Sequence, residues 1–157
     1  MLKQALSGAL ALLFVLGLQG GAEAQCVALP GGCPGGPPAP ACFGGLPTIG
    51  NLGFGVLPAP CPATDFTITI FGLCSPPIPL TFPTICTPGI VCTLDVFPIF
   101  AALTAIAPPG PAPPIPLPIP LDPTLIGAMI CSQTFCYAAV PACSSTISDV
   151  LKITFLP

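Results

Sequence analysis

The chain has no histidine and no tryptophan, and only two of its 157 residues are basic. Both basic residues are lysines, Lys3 and Lys152, and the only glutamate is Glu23. Most general acid–base and nucleophilic mechanisms need histidine, glutamate or arginine, none of which occurs after residue 24. One lysine in that part of the chain cannot support electrostatic binding of nucleic acid. The sequence therefore predicts a protein that is not an enzyme, uses no cofactor and binds no nucleic acid.

Aspartates are the remaining candidates for catalysis, and there are four of them. Asp65 and Asp149 adjoin strand patterns and are interpreted as strand-edge caps, whereas Asp95 is predicted at a solvent-facing strand position. Asp122 precedes Pro123 and is interpreted as a turn initiator. A glycoside hydrolase would need two carboxylates about 5 to 9.5 Å apart. A hydrolase therefore remains a hypothesis that depends on two of the four aspartates converging.

Residues 1–24 have the three parts of a secretory signal peptide. Lys3 precedes an apolar run over residues 5–18, and small residues follow up to Ala24. The run is shorter than the roughly 20 residues of a membrane-spanning helix, which disfavours the alternative of an uncleaved anchor. We expect cleavage after Ala24 and a secreted, periplasmic or cell-surface mature chain over residues 25–157. Because no later apolar run reaches about 18 uninterrupted residues, no membrane span is expected in the mature chain.

All ten cysteines lie after residue 24. They form an N-terminal group of three, a central group of four and a C-terminal group of three: Cys26, Cys33 and Cys42; Cys61, Cys74, Cys86 and Cys92; Cys131, Cys136 and Cys143. An even number in an exported chain predicts disulfides, although two of the spacings resemble those of metal knuckles. The pairing stays open, but if all ten are oxidised each group of three must send a bridge outside itself.

Proline and glycine punctuate the mature chain, and between them lie apolar, β-prone runs. Residues 25–47 are dense in turn formers and are predicted to be a disulfide-held loop, followed by a β-sandwich over residues 48–157. Strand-length runs cover residues 48–57, 65–72, 89–97 and 148–155. Many short strands with Pro/Gly turns predict an all-β fold, a small antiparallel β-sandwich with disulfide-held Pro/Gly-rich loops.

Three segments leave finer questions of structure. Residues 65–72 alternate Phe66, Ile68 and Ile70 with threonines, which predicts a strand with one polar face. Residues 125–140 are long enough for one bent strand or for two strands with a turn near Ser132 and Gln133. Residues 99–107 fit either a short helix or a buried strand, because periodicity cannot separate the two.

Proline occupies every second position from Pro114 to Pro120. In an extended strand this spacing places Ile115, Leu117, Ile119 and Leu121 on one face and leaves one edge without N–H donors. Such a strand can pair on one side only, which is where sheets tolerate proline. We predict an edge strand here, with the connector at residues 107–113, over the alternative of a polyproline linker.

The mature chain carries five charged residues, Asp65, Asp95, Asp122, Asp149 and Lys152. So few charges predict a surface that adheres to other apolar surfaces. The favoured function is a non-enzymatic structural or surface-interaction protein that associates with itself or with an envelope or matrix. The alternative is a small binding module for a glycan or an apolar ligand, with a pocket lined by phenylalanines and Tyr137.

Two clusters resemble a module of secreted bacterial proteins that often stands at the C-terminal end of large exported chains. The first, "GGLPTIGNLGFGVL" followed by "DFTITIFGL", resembles the opening turn and strands of that module. The second, "LPIPLDPTLIGAMICSQTF" followed by "ISDVLKITF", resembles its closing strands, which include a recurring glutamine. The resemblance covers roughly residues 33–155. It implies a small β-sandwich and carries no catalytic residue.

Overall fold

The structure is a computed structural model that describes residues 25–61, 66–81, 91–105, 112–138 and 144–157. These residues contain nine strands, one 3-10 turn and no α-helix: β1 (Cys26–Leu29), β2 (Ala41–Phe43), β3 (Gly55–Leu57), β4 (Phe66–Thr81), β5 (Val91–Ala105), β6 (Ile115–Pro116), the 3-10 turn (Pro123–Leu125), β7 (Met129–Ala138), β8 (Ser144–Ile147) and β9 (Val150–Thr154). The all-β prediction is confirmed. The predicted signal peptide, its cleavage after Ala24, and Asp65, Cys86 and Cys143 lie outside the described residues.

Two antiparallel sheets pack face to face. The main sheet has the order β1-β9-β7-β4-β5, with β8 paired to β7, and the small sheet has the order β2-β3-β6. Side chains from both sheets form the buried cluster between them: Phe54, Val56, Phe71, Ile119, Leu151, Ile153 and Phe155. This layered arrangement is the expected β-sandwich, since each sheet buries one apolar face against the other.

Strands β4 and β5 form a hairpin much longer than the sequence pattern predicts. The pairing register shifts at Gly72 and again between Cys74 and Ile78, so the hairpin bends. A side chain at Gly72 would collide with the backbone oxygen of Pro98, which explains why glycine stands at the bend. Pro98 itself lies within β5, after a cis peptide bond. The predicted runs 89–97 and 99–107 therefore belong to one strand up to Ala105, which decides for strand over helix.

The part of this hairpin beyond the bend at Gly72, which we call its far half, folds across the outer face of the main sheet. There Val96 of β5 packs against Cys131 and Val150, although β5 is not a neighbour of β7 or β9 in the sheet. A second cluster joins Cys92 to Cys33 and Ile147. The main sheet is therefore covered on both faces, by the small sheet on one side and by the folded hairpin on the other.

The polar face predicted for β4 points into the sandwich rather than toward solvent. Thr67 and Thr69 are buried, while Ile68 on the opposite face is half-buried. The hydroxyl groups of Thr69 and Thr134 share a hydrogen bond of 3.1 Å, and Thr134 Oγ1 also accepts from the backbone N–H of Ala59. Hydrogen bonding of this kind offsets the cost of burying these hydroxyl groups.

Two predicted boundaries change in the structure. Residues 48–57 form a strand only at Gly55–Leu57, and the strand prediction is wrong for residues 48–54. The reason is Asn51, whose side chain donates to the backbone oxygens of Gly44 and Leu46 and accepts from the N–H of Gly53. This network holds a turn, as side-chain amides do where they replace ladder hydrogen bonds.

The N-terminal segment 25–47, predicted as a loop, supplies a strand to each sheet. Strand β1 pairs with β9, and β2 pairs with β3. In contrast, residues 125–140 contain one uninterrupted strand, β7, with no turn at Ser132 or Gln133. The single-strand alternative is therefore correct for the described part of that segment.

The alternating-proline segment is an edge strand, although a short one. Strand β6 covers Ile115–Pro116 at the end of the small sheet, and the N–H groups of Leu117 and Ile119 continue the pairing with the loop before β3. Ile115, Leu117 and Ile119 contact the core, and all four prolines are exposed. The prediction is wrong for Leu121, which is 79% exposed. A turn bond from the N–H of Asp122 to the backbone oxygen of Pro120 ends the alternation there.

Candidate interaction surface

Strand β5 ends the main sheet, and half of it presents apolar side chains to solvent. Phe97, Pro98, Ile99 and Phe100 are four consecutive exposed residues. This stretch of β5 is irregular, because the register with β4 shifts on both sides of Ile99 and leaves Phe97, Pro98 and Phe100 without a paired residue on β4. The exposed fractions of Phe97 and Phe100 are 56% and 59%.

Leu73 and Leu103 extend this surface at its two ends. Gly72 pairs with Ile99 and Cys74 with Val96, so Leu73 lies opposite the exposed residues Phe97 and Pro98. We call the surface formed by Leu73, Phe97, Ile99, Phe100 and Leu103 the apolar edge. The segment of β5 from Val96 to Ala105 contains no ionisable residue. Natural edge strands are usually protected by charges, prolines or bulges, and here only Pro98 and the bulged end serve that purpose.

The first half of β5 is held to the body by a buried glutamine. The side-chain oxygen of Gln133 accepts from the N–H of Asp95 at 2.8 Å. Its amide nitrogen donates to the backbone oxygens of Thr93 and Ser148 at 3.3 and 3.1 Å. Gln133 is completely buried. The N–H of Asp95 is available because the bulge between Cys74 and Ile78 removes its partner on β4.

Asp95 is buried, which corrects its predicted solvent-facing position. Its side chain is 8% exposed, and its Oδ2 accepts from the hydroxyl of Thr93 at 3.0 Å. The folded hairpin causes this burial, since the face expected to meet solvent instead meets β7 and the N-terminal segment. The sequence carried no signal for the fold-back.

Asp149 lies close to the same place. Its Oδ1 accepts from the N–H of Gly31 at 3.0 Å, just before β9 begins. A side chain at Gly31 would lie 2.7 Å from Oδ2 of Asp95, so both carboxylates contact the same glycine. Asp95 and Asp149 are thus brought together, while Asp122 caps the 3-10 turn through Thr124. The two carboxylates near Gly31 therefore accept hydrogen bonds from a backbone N–H and from a hydroxyl group.

The sheet that carries the apolar edge is cross-linked by disulfides. Four disulfides occur among the described residues, and they include eight of the ten predicted cysteines: Cys26–Cys42, Cys33–Cys92, Cys61–Cys136 and Cys74–Cys131. The N-terminal and C-terminal groups both send bridges to the central group, as the counting argument requires. Cys33–Cys92 fixes the far half of the hairpin to the N-terminal segment. In the described ranges, no cluster of three metal-ligating side chains is present.

Two concave surfaces lie away from the buried glutamine. A cleft of about 220 Å³ is lined by Thr67, Thr69, Leu103 and Ile115 together with prolines. A shallow depression of about 700 Å³ is formed by the Asn51 loop, with Ile49, Leu52 and Leu121 on its sides. Neither contains a phenylalanine or Tyr137. The Tyr137 ring packs on Phe66 with ring centroids 4.7 Å apart.

Comparison with protein-family models, with curated proteins and with solved structures finds no match to this chain. Within the described part of the chain, no helix has the length and apolar character needed to cross a membrane. The feature that sequence reasoning missed is the position of the apolar edge. The charge-free run "IFAALTAIA" pointed to it, but only the sheet order shows that this strand has no outer neighbour among the described residues.

Proposed function

We propose that this protein is a secreted, non-enzymatic structural or surface-interaction protein that works through its apolar edge. The observation that carries the proposal is the uncharged, exposed part of β5 from residue 96 to residue 105, on a framework that has four disulfides among the described residues. Exposed contiguous apolar surfaces commonly mark sites of association. The expected partners are an envelope or matrix surface, or another copy of the chain.

Disulfides support an extracellular or periplasmic place of work. Such bridges persist in oxidising compartments and are rare in the cytosol. They also suit a protein that must stay folded while it exposes apolar side chains, because they restrict the unfolded chain. The predicted signal peptide at residues 1–24 agrees with this location.

The environments of the aspartates support a role without catalysis. Asp95 and Asp149 bind backbone and hydroxyl donors at Gly31 and Thr93, which are structural contacts. A hydrolytic pair also needs an accessible substrate cleft and accompanying polar groups. Asp95 is buried beneath the hairpin, and the cleft at Leu103 contains no carboxylate.

Co-sedimentation of the oxidised mature chain, residues 25–157, with the envelope or matrix fraction of the producing cell tests the proposal. We expect the wild-type protein to sediment with that fraction or to self-associate. Phe100→Lys should reduce association several-fold, because it charges the centre of the apolar edge. Leu121→Lys is the matched control, since Leu121 is 79% exposed on a different surface. A wild-type protein that stays monomeric and in the soluble fraction would contradict the proposal.

The alternative of a small binding module is favoured by one observation, the cleft at Leu103. Its threonine floor and proline walls could hold a small apolar ligand that has one polar group. Its volume of about 220 Å³ is below the range of about 300 to 1,000 Å³ that is typical of ligand pockets. Leu103→Trp should fill the cleft and abolish ligand-induced stabilisation in a thermal-shift screen of such compounds. The alternative fails if no compound raises the melting temperature of the wild-type protein.

A further inference from the structure

The backbone of β5 offers a second feature besides its exposed side chains. In an antiparallel sheet, alternate residues direct their N–H and C=O groups toward each neighbouring strand. Strand β5 pairs with β4 on one side and ends the main sheet on the other. On the outer side, the hydrogen bonds found among the described residues are confined to Thr93, which donates to Gly32, and to the contacts with Gln133. The backbone N–H and C=O groups of residues 99–105 that point away from β4 have no hydrogen-bond partner among the described residues.

An exposed row of backbone donors and acceptors selects for another strand as its partner. A flat apolar surface would cover the side chains but leave these groups unpaired, which is costly once water is removed. The occupant of this edge should therefore be an extended strand that is itself uncharged. Every copy of the chain carries such a strand.

We propose that two copies of the chain associate through antiparallel pairing of residues 99–105 of β5, which makes the main sheet continuous across a two-fold axis. This inference rests on the proposed function, because it assigns the apolar edge a second copy as its partner. With the axis at Ala102, residue 101 pairs with 103 and Ala102 faces Ala102 of the other copy. Residues 100 and 99 would face 104 and 105 beyond these pairs, at the bulge where Phe100 has no partner on β4. The contact is closed and self-complementary.

Charge favours this pairing. The sequence of residues 99–105, "IFAALTA", has no ionisable group and no proline. Like charges placed directly opposite each other destabilise antiparallel pairs, and none would meet here. The four described charged residues sit elsewhere: Asp95 is buried under the hairpin, Asp122 caps the 3-10 turn, Asp149 contacts Gly31, and Lys152 lies in β9, paired with Val27 and Cys131. Among the described residues, no two like charges would therefore meet when two copies approach along this edge.

The size of the contact sets the expected affinity. The exposed parts of Phe97, Ile99, Phe100 and Leu103 offer roughly 400 Å² per copy, about half of what one partner contributes to a standard interface. The dimer should therefore be weak, with a dissociation constant on the order of micromolar. Association should depend on the concentration of the protein.

Sedimentation velocity of the oxidised mature chain tests the dimer over roughly two decades of concentration around the micromolar range. The wild-type protein should pass from monomer to dimer. Ala102→Lys and Ala102→Glu each place two like charges at the symmetry axis, and each should weaken association by roughly tenfold or more. An equimolar mixture of the two variants should dimerise again, because the charges at the axis are then opposite. Recovery in the mixture also shows that both variants are folded.

Leu121→Lys is the control, and it should dimerise like the wild-type protein. A wild-type protein that is monomeric at every concentration overturns the inference, as does an Ala102→Lys variant that dimerises normally. If the monomeric protein still sediments with the envelope or matrix fraction, the dimer fails and the proposed function stands. If it does neither, both fail.

Discussion

Gln133 connects three parts of the molecule through one side chain. It lies on β7, accepts from β5 at Asp95, and donates to Thr93 and to Ser148 before β9. The side-chain amide supplies one acceptor and two donors, and all three positions are used. A glutamate could not donate to the two backbone oxygens, so the amide is required at this position.

Replacing Gln133 by leucine should destabilise the fold strongly. The change keeps the approximate volume but leaves the N–H of Asp95 and two backbone oxygens buried without partners. Each such group costs about 1 to 3 kcal/mol, so a loss of about 3 kcal/mol or more in unfolding free energy is expected. Urea denaturation measures it. Gln25→Leu is the matched control, because Oε1 of Gln25 already has no partner among the described residues. Equal losses in the two variants would contradict the assigned role.

The pKa of Asp122 is lowered from its ordinary value of 3.8, first by the hydroxyl of Thr124 and then by the Thr124 backbone N–H. A lowered folded-state pKa means that the carboxylate form stabilises the fold above the ordinary value. This contribution is lost as the pH falls through the folded value. Thr124→Ala should therefore raise the pKa of Asp122 toward 3.8 in an NMR titration. Thr154→Ala should leave it unchanged; a pKa that does not move in Thr124→Ala would refute the assignment.

At the scale of elements, the long hairpin of β4 and β5 both extends the main sheet and covers its outer face. Its near half belongs to the main sheet, and its far half covers the outer face of that sheet. The change occurs at Gly72, where the backbone of Pro98 approaches too closely for a side chain. The bend therefore creates both the buried Asp95 and the exposed Phe97–Phe100 segment.

Gly72→Ala should shift or destabilise this bend. The added methyl group collides with the backbone oxygen of Pro98 and approaches Val96, and overpacking of this kind costs about 1 to 3 kcal/mol. Thermal unfolding followed by circular dichroism measures the loss. In the control Gly53→Ala, the added methyl lies 3.6 Å from Asn51 Oδ1, an ordinary contact. If Gly72→Ala were as stable as the control, the bend would not depend on the absence of a side chain.

Sequence patterns predicted those elements whose cause is local. The alternation in β4 and the one-sided pairing of β6 follow from side-chain periodicity and missing proline donors, whereas the sequence left open whether residues 125–140 form one strand or two. The predicted position of Leu121 was wrong because a turn bond from the N–H of Asp122 to the backbone oxygen of Pro120 ends the alternation of the extended segment. The burial of Asp95 and of Thr69 could not be predicted, since it depends on a hairpin bend and on Thr134, which is 65 residues away in the chain.

The sequence predicted the apolar character of the candidate site but not its position in the fold. The scarcity of charge after residue 24 predicted an adhesive surface. Which run would be exposed depended on the order of strands, and the apolar character of residues 99–107 alone was equally consistent with burial. The contact of Tyr137 with Phe66 was not predicted, and it arises because the two residues are directly paired across β4 and β7.

Over the whole molecule, the disulfides fix the layers to one another. Cys33–Cys92 closes a separation of 59 residues and joins the folded hairpin to the N-terminal segment, while Cys26–Cys42 closes one of 16. In the chain-entropy description, these loops correspond to about 4 and about 3 kcal/mol. The bridge that holds the hairpin is therefore expected to contribute more to stability.

Removing both cysteines of the Cys33–Cys92 pair should lower the unfolding free energy by more than removing both cysteines of Cys26–Cys42. Guanidinium denaturation of the two double alanine variants measures the difference, with the other bridges verified by peptide mapping. The first variant should also expose Asp95 to solvent as the hairpin loosens. A larger loss on removing Cys26–Cys42 would show that the hairpin does not depend on its bridge.

Amide hydrogen exchange over β5 tests most directly whether the apolar edge is the working surface. The mature protein should be measured dilute, concentrated, and mixed with the envelope or matrix fraction. We expect the amides of residues 97–105 to exchange more slowly in one or both of the latter conditions, because a partner covers their outer edge. Those of residues 48–52 should not change. Equal exchange at residues 97–105 in all three conditions would contradict the account.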